Sequence, residues 1–264
     1  MPTLRFFTPS ADVAETAESG FRFGNKGTHT SRTMMLSELS QVMVTVTPRS
    51  ARTVYVSAVI EDNCLGKPTA STRRLTLQRL SELYALDPKI PLFRVFRSLW
   101  EHAEDSHALL ALQCALARDP LLVATADAVL QLGINAEFLR DPMRHGIRAV
   151  VGERLNESTL DKVVRNAASS WTQSGHLSGR ALKIRQQVTP TAATIAFGLY
   201  LGYQSGFRGN DLFSSGWIAV LDCSPTQAKN LALEAKRLGL IDIRMAADVI
   251  EIGFSRLENL KTRG

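Results

Sequence analysis

The chain has little cysteine, no long uninterrupted apolar run and no assembled catalytic motif. Only Cys64, Cys114 and Cys223 occur in 264 residues, far apart and without a CxxC pair. This argues against a disulfide scaffold or zinc ribbon and suits a reducing cytoplasm, with each thiol expected in apolar helical surroundings. The opening MPTLRFFTPSADVAETAESG lacks a basic stretch followed by an apolar core, so no signal peptide is expected. Residues 186–207 carry no charge, but Gln186, Gln187, Thr189, Pro190, Thr191, Thr194 and Gln204 interrupt them. The continuous apolar part, Ile195 to Tyr203, falls short of the ~20 residues that cross a bilayer. It is read as a buried core helix, and no membrane is expected as a partner.

Chemistry is sparse in the same way. The sequence has no GxSxG elbow, no HExxH, no glycine-rich nucleotide loop and no paired carboxylates beside His or Lys in helical register. His102 and His107 lie near Glu104 and Asp105 but lack metal-ligand spacing, and read as solvated surface. The segment GFRFGNKGTHTSR lacks the GK[ST] ending of a phosphate loop. A non-enzymatic protein without cofactor or metal is expected.

What is present is an ordinary folding composition, 45% hydrophobic and 21% charged, long enough for one large or two ordinary domains. The net charge of +6 is unevenly placed. Residues 49–97 hold nine Lys/Arg against four Asp/Glu, residues 98–143 two against seven, and residues 144–190 eight against three. Two basic blocks flank an acidic one, as expected of a surface that faces a polyanion on one side.

Along the chain, residues 1–32 read as a flexible, slightly basic N-terminal arm able to dock on the body or a partner. Residues 33–152 read as a helical domain. Within it, a helix carrying Val54, Tyr55, Ala58, Val59 and Ile60 is broken at Gly66–Lys67–Pro68. A second helix, capped by Thr69 or Ser71, follows to about Leu86. This allows a helix-turn-helix at 51–86 that presents Arg73, Arg74, Gln78 and Arg79. A bundle whose arginines are solvated or paired with carboxylates is the plainer alternative, and is preferred. Helices follow at about 90–102, 106–117 and 119–132. Residues 135–151 continue helical, broken by Pro142 and Gly146.

Residues 153–264 form a winged-helix-like region in which helix, glycine and hairpin occur twice, at 156–188 and 224–254. In the first copy, Leu160, Val163, Val164, Ala167 and Trp171 share one helical face at about 100° per residue. Ser158, Lys162, Arg165, Asn166, Ser169 and Gln173 share the other. Cations, hydroxyls and amides of this kind bond phosphates and base edges. Gly175 ends the helix, and Arg180, Lys183 and Arg185 arm a possible wing. A surface helix whose polar face meets only water is the alternative. Glu153, Glu157, Asp161 and Arg165 recur every four residues and are expected to pair locally. The second copy has the hairpin segments LIDIRM and VIEIGF, balanced in charge, and suits architecture or protein contact better than DNA. The fold class expected is mainly α: a helical N-terminal domain followed by winged helix-turn-helix-like units with short β-hairpins.

Two stretches carry a family resemblance. SARTVYVSAVIEDNCLGKPTASTRRLTLQRLSELYALD (50–87) and LNESTLDKVVRNAASSWTQSGHLSG (155–179), the latter with Ser158, Leu160, Lys162, Gly175 and Leu177 in place, resemble the BrxA family of bacteriophage-exclusion (BREX) defence systems. The resemblance implies a mainly helical, cytoplasmic, non-enzymatic protein that binds double-stranded DNA and works beside other phage-defence proteins. A protein–protein adaptor built on winged helices, and a transcriptional regulator of a palindromic operator, are the other readings. The last ranks third because no long heptad run offers a dimer coiled coil.

Overall fold

Helical spacing of apolar residues dominates the chain, and the described residues accordingly fold into fourteen α-helices and two short antiparallel hairpins. The computed structural model describes residues 4–246 and 249–258. The first helices are α1 (Val13–Glu18), α2 (Leu36–Thr45), α3 (Arg52–Ile60), α4 (Ala70–Tyr84) and α5 (Pro91–Trp100). They are followed by α6 (His107–Arg118), α7 (Pro120–Val123), α8 (Ala126–Leu130), α9 (Arg140–Val151) and α10 (Glu157–Gln173). The last four are α11 (Ala192–Gln204), α12 (Gly216–Ala219), α13 (Pro225–Arg237) and α14 (Ser255–Glu258). The mainly α architecture is as expected from the sequence.

Local chemistry sets the helix starts. Asn156 Oδ1 accepts the Thr159 N–H at 2.9 Å to cap α10, satisfying one of the donors that a first helical turn leaves free. Reciprocal capping boxes begin α4 at Thr69 and Thr72, α11 at Thr191 and Thr194, and α13 at Ser224 and Gln227.

The charge-free segment becomes α11, whose residues Ala192 to Gly202 are all buried. It packs against α5, α6, α12 and α13 and forms the axis of the molecule. Among the described residues no single helix is long and apolar enough to cross a membrane. The α6 to α8 stretch passes such a test only as a pair bent by 107°.

Residues 4–32, expected as an arm able to dock on the body or a partner, lie against this core. Phe6 and Phe21 are buried edge-on to Trp217, at 4.9 and 5.8 Å between ring centroids. The Trp217 indole N–H donates to the Phe6 carbonyl at 2.6 Å. Aromatic edge-to-face packing explains why the scattered phenylalanines of this stretch are drawn inward. The buried apolar residues also form one cluster from Phe6 to Leu257 with no interruption near residue 152.

Three further expectations are corrected here. Residues 135–138 form a turn at Asn135, at φ +66°, and a bridge at Glu137 rather than helix, because they bond to the first hairpin. β1 (Leu177–Ser178) pairs with β2 (Ile184–Arg185), and Glu137 bridges Ile184 on the other side, antiparallel. The Asn135 and Phe138 N–H groups donate to the Arg185 and Lys183 carbonyls, and the Arg185 N–H donates to Ala136. α9 then runs unbroken through Pro142 and Gly146. Pro142 sits in its first turn, where an N–H has no acceptor within the helix, and Gly146 lets the Ala124 carbonyl approach where a Cβ would stand 2.4 Å away. Of the cysteines, only Cys114 lies in a helix; Cys64 and Cys223 sit partly buried in connections.

The second hairpin joins β3 (Asp242–Ala246) to β4 (Val249–Gly253) in register Asp242–Gly253 to Ala246–Val249. Ala247 and Asp248, expected at its turn, lie outside the described residues.

Candidate nucleic-acid interface

The segment from α8 to β2 runs helix, extended bridge, helix, short turn, helix, strand, strand. α9 packs on both α8 and α10, and β1 packs on the end of α10. The inward face of α10, from Leu160 through Trp171, is buried as its spacing requires, and the Trp171 N–H donates to Thr125 Oγ1 at 2.8 Å.

The carboxylates at the start of α10 do not pair along their own helix. Glu157 takes Arg144 at 2.7 Å and also binds Arg148, while Asp161 binds Arg144, both arginines coming from α9. The expected pairing of Asp161 with Arg165 is therefore replaced by an α9–α10 lattice, and Arg165 is left without that partner. Ser158, Lys162 and Arg165 are exposed on one strip, with Ser169 half-buried along it. Among the described residues neither Lys162 nor Arg165 has a carboxylate within ion-pair distance.

Beside this strip lies a pocket of about 180 Å³ lined by Phe138, Arg140, Arg165, Ala168, Ala181 and Lys183. Three cations thus converge from the first residue of α9, the middle of α10 and the hairpin. The Lys183 ammonium donates to Thr172 Oγ1 at 2.7 Å and to the Gly179 carbonyl at 3.2 Å. Burial, and then the charge of Arg140, depress its pKa below the usual lysine value. Like charges held together without a counterion favour an anion between them. Arg140 escaped the sequence reading because it belongs to the acidic block; only the fold carries it to the basic pocket.

Other expected contacts are placed elsewhere. Arg185 is corrected outright: it is 1% exposed, donates from Nε to Val129 O at 3.0 Å and pairs with Asp222. A guanidinium so enclosed holds the hairpin to the body and does not face solvent. Asn166 donates to the His29 carbonyl at 2.9 Å, and Gln173 Oε1 accepts the Leu36 N–H at 3.2 Å. The N-terminal segment thereby covers the flank of α10 that carries them. Arg180 is exposed near the hairpin turn.

In the first basic block, Arg73 donates to the Ile60 carbonyl at 2.6 Å, and Arg79 pairs with Glu82 at 2.8 Å. Gln78 also donates to Glu82, at 3.0 Å. Arg74 is exposed and lines an open groove of about 630 Å³ between α3 and α4, together with Arg22, Arg52 and Arg118. Here the arginines are largely committed to carbonyls and carboxylates. The two blocks differ in what they leave for a ligand.

A polar chain that the sequence did not suggest crosses beneath α10. His29 Nδ1 donates to Asp119 Oδ2 at 2.7 Å, and Nε2 lies 2.8 Å from Ser170 Oγ. The Met34 N–H donates to the same Oγ at 2.8 Å, and this hydroxyl donates to Asn166 O at 3.0 Å. Asp119 also accepts the backbone N–H groups of His29 and Leu121 at 3.0 Å each. Burial pushes the Asp119 carboxyl upward, but His29 and these N–H groups outweigh it and hold its pKa below the usual carboxylate range. The order Ser–His–Asp is that of a hydrolase triad. All three side chains, however, are fully buried, and they crosslink the 28–34 segment to α7 and α10.

Of the two histidines beside Glu104 and Asp105 in sequence, His107 stacks on Trp100 at 4.1 Å and bonds its carbonyl at 2.8 Å. No group of three or more potential ligands gathers among the described residues. Comparison with protein-family models and with curated proteins finds no match for this chain.

Proposed function

We propose that the protein binds double-stranded DNA through a winged helix-turn-helix formed by residues 120–185, as a non-enzymatic accessory protein of a BREX-type phage-defence system. The observation that carries the DNA reading is the convergence of Arg140, Arg165 and Lys183 beside α10 and its hairpin, with Lys162 exposed on the same helix strip as Arg165. The neighbouring carboxylates Glu157 and Asp161 are neutralised by α9. The order of elements supports it: a bridge residue, two helices joined by a short turn and a two-stranded wing, with Glu137 bridging the wing at Ile184. In such units the second helix enters the major groove, and flanking cations position it on phosphates. The defence role rests on the resemblance of residues 50–87 and 155–179.

A mobility-shift titration of a duplex at two salt concentrations tests the binding. Four or five phosphate contacts give a slope of log K against log salt of about −4. Absence of binding at low salt overturns the reading. A second reading, an adaptor that grips protein, is favoured by Leu139 and Leu182, 61% and 55% exposed beside the pocket residues. Stoichiometric capture of defence-system proteins after nuclease treatment, without duplex affinity, would select it.

A further inference from the structure

Away from α10, a cavity of about 230 Å³ opens between the turn after α2, the start of α3 and one face of α5. Pro48, Pro88, Tyr55 and Phe93 supply its apolar walls, the two rings meeting edge to face at 5.4 Å. Prolines with fixed φ and interlocked rings make such a wall largely preformed.

Into these walls are set Arg94 and Arg97, one turn apart on α5, with Arg49 from the turn. Arg97 is only 4% exposed. Its terminal nitrogens are engaged, one with Glu101 and the other with the carbonyls of Met43 and Val46 at 3.1 and 2.9 Å. Its Nε is buried without a partner. The same holds for Nε of Arg94, whose Nη1 donates to the Pro88 carbonyl at 2.9 Å. An unmet buried donor costs about 1–3 kcal/mol, and these two belong to arginines that line the same cavity. Glu101 is the one carboxylate among the lining residues, against three guanidinium groups. Burial pushes the Tyr55 phenol above its ordinary pKa, against the pull of Arg97, so the ring stands as a neutral wall.

We propose that this cavity binds a small aromatic anion, its carboxylate or phosphate on Arg94 and Arg97 and its ring between Tyr55, Phe93 and the two prolines. The volume falls below the roughly 300–1,000 Å³ of sites for drug-sized ligands, which restricts the occupant to one ring or a fused pair. The site is independent of the DNA surface and stands or falls without it.

The test titrates the full chain with 4-hydroxybenzoate, indole-3-acetate and phenyl phosphate, and with 4-hydroxybenzamide as the neutral control, by calorimetry and ligand-observed NMR. The first two anions and the third separate a carboxylate occupant from a phosphate one. At least one anion is expected to bind with a Kd below about 1 mM, and the amide roughly tenfold more weakly than its acid. Two variants, Arg94→Gln, which removes a donor, and Ser98→Phe, which fills the cavity from its half-buried rim, should each weaken binding roughly tenfold. Their circular dichroism and melting temperature should be kept. No anion binding at about 5 mM, equal binding of the amide, or undiminished binding by a folded Ser98→Phe chain would each overturn the proposal.

Discussion

His29 and Asp119, ninety residues apart, share a hydrogen bond of 2.7 Å with both side chains closed off from solvent. The bond fastens the N-terminal segment beneath α10 and holds one flank of that helix covered. What α10 can present to a partner is therefore decided partly by residues far from it in sequence. The outward strip is left to Lys162, Arg165 and Ser169.

Removing one side of that bond should destabilise the fold. His29→Ala leaves the Asp119 carboxylate buried without its strongest partner, at a cost of about 3 kcal/mol. Ser170→Ala, which strands the Met34 N–H, should cost about 1–2 kcal/mol. Urea unfolding measures both. Wild-type midpoints for both variants would show that the chain does not hold the segment down.

Charge reversals on α10 and on the hairpin should separate contact from architecture. Lys162→Glu with Arg165→Glu is expected to lower duplex affinity by two orders of magnitude or so at moderate salt, with unfolding unchanged, since each lost phosphate contact also reduces the salt slope by about one. Arg185→Glu buries a carboxylate beside the like charge of the partly buried Asp222 and should instead cost about 3–5 kcal/mol of stability. A folded, stable Arg185→Glu protein that had lost only DNA affinity would reverse this assignment.

The hairpin depends on Gly179, at φ +100°, where an added Cβ would meet the Leu182 carbonyl at 2.0 Å. Gly179→Ala should distort the turn that carries Arg180 and Lys183, because neither the backbone angle nor the space suits a side chain. The expected outcome is weaker duplex binding with α10 intact by amide exchange. Unaltered binding would remove the wing from the interface.

Stability should fall in mild acid. His176 bonds Ser174 Oγ at 2.9 Å and the Val220 carbonyl at 2.8 Å, and burial lowers its pKa from 6.5 to about 4. Between these values the unfolded chain holds more protons than the folded one. The contribution is thus complete above pH 6.5 and is lost as the pH falls toward 4, on the order of 3 kcal/mol in all. His176→Gln should flatten the dependence between pH 6.5 and 4.5 in denaturant titrations. Below that window Asp119, with its lowered pKa, adds a second loss as it protonates.

Much of this was legible in the residues. Helical spacing placed Leu160, Val163, Val164, Ala167 and Trp171 on one face of α10, and all are buried. Interruption by threonine, proline and glutamine, together with the shortness of the apolar run, identified α11 as a core helix. The cap of α4 was narrowed to Thr69 or Ser71, and Thr69 fills it, because a capping side chain bonds a backbone group only two or three residues away.

The rest depended on contacts distant in sequence, which spacing along one helix does not encode. Asp161 could meet Arg165 one turn on, yet α9 brings Arg144 to it instead. Arg185 counted as a wing cation until Asp222, 37 residues later, enclosed it. Arg140 stood in an acidic stretch until the turn into α9 set it beside Arg165 and Lys183. The sequence by itself determined the helices, their caps and their buried faces, because those follow from local hydrogen bonding and apolar period. Which cations remain available to a polyanion was decided only by the tertiary structure, because an ion pair is selected by distance in space.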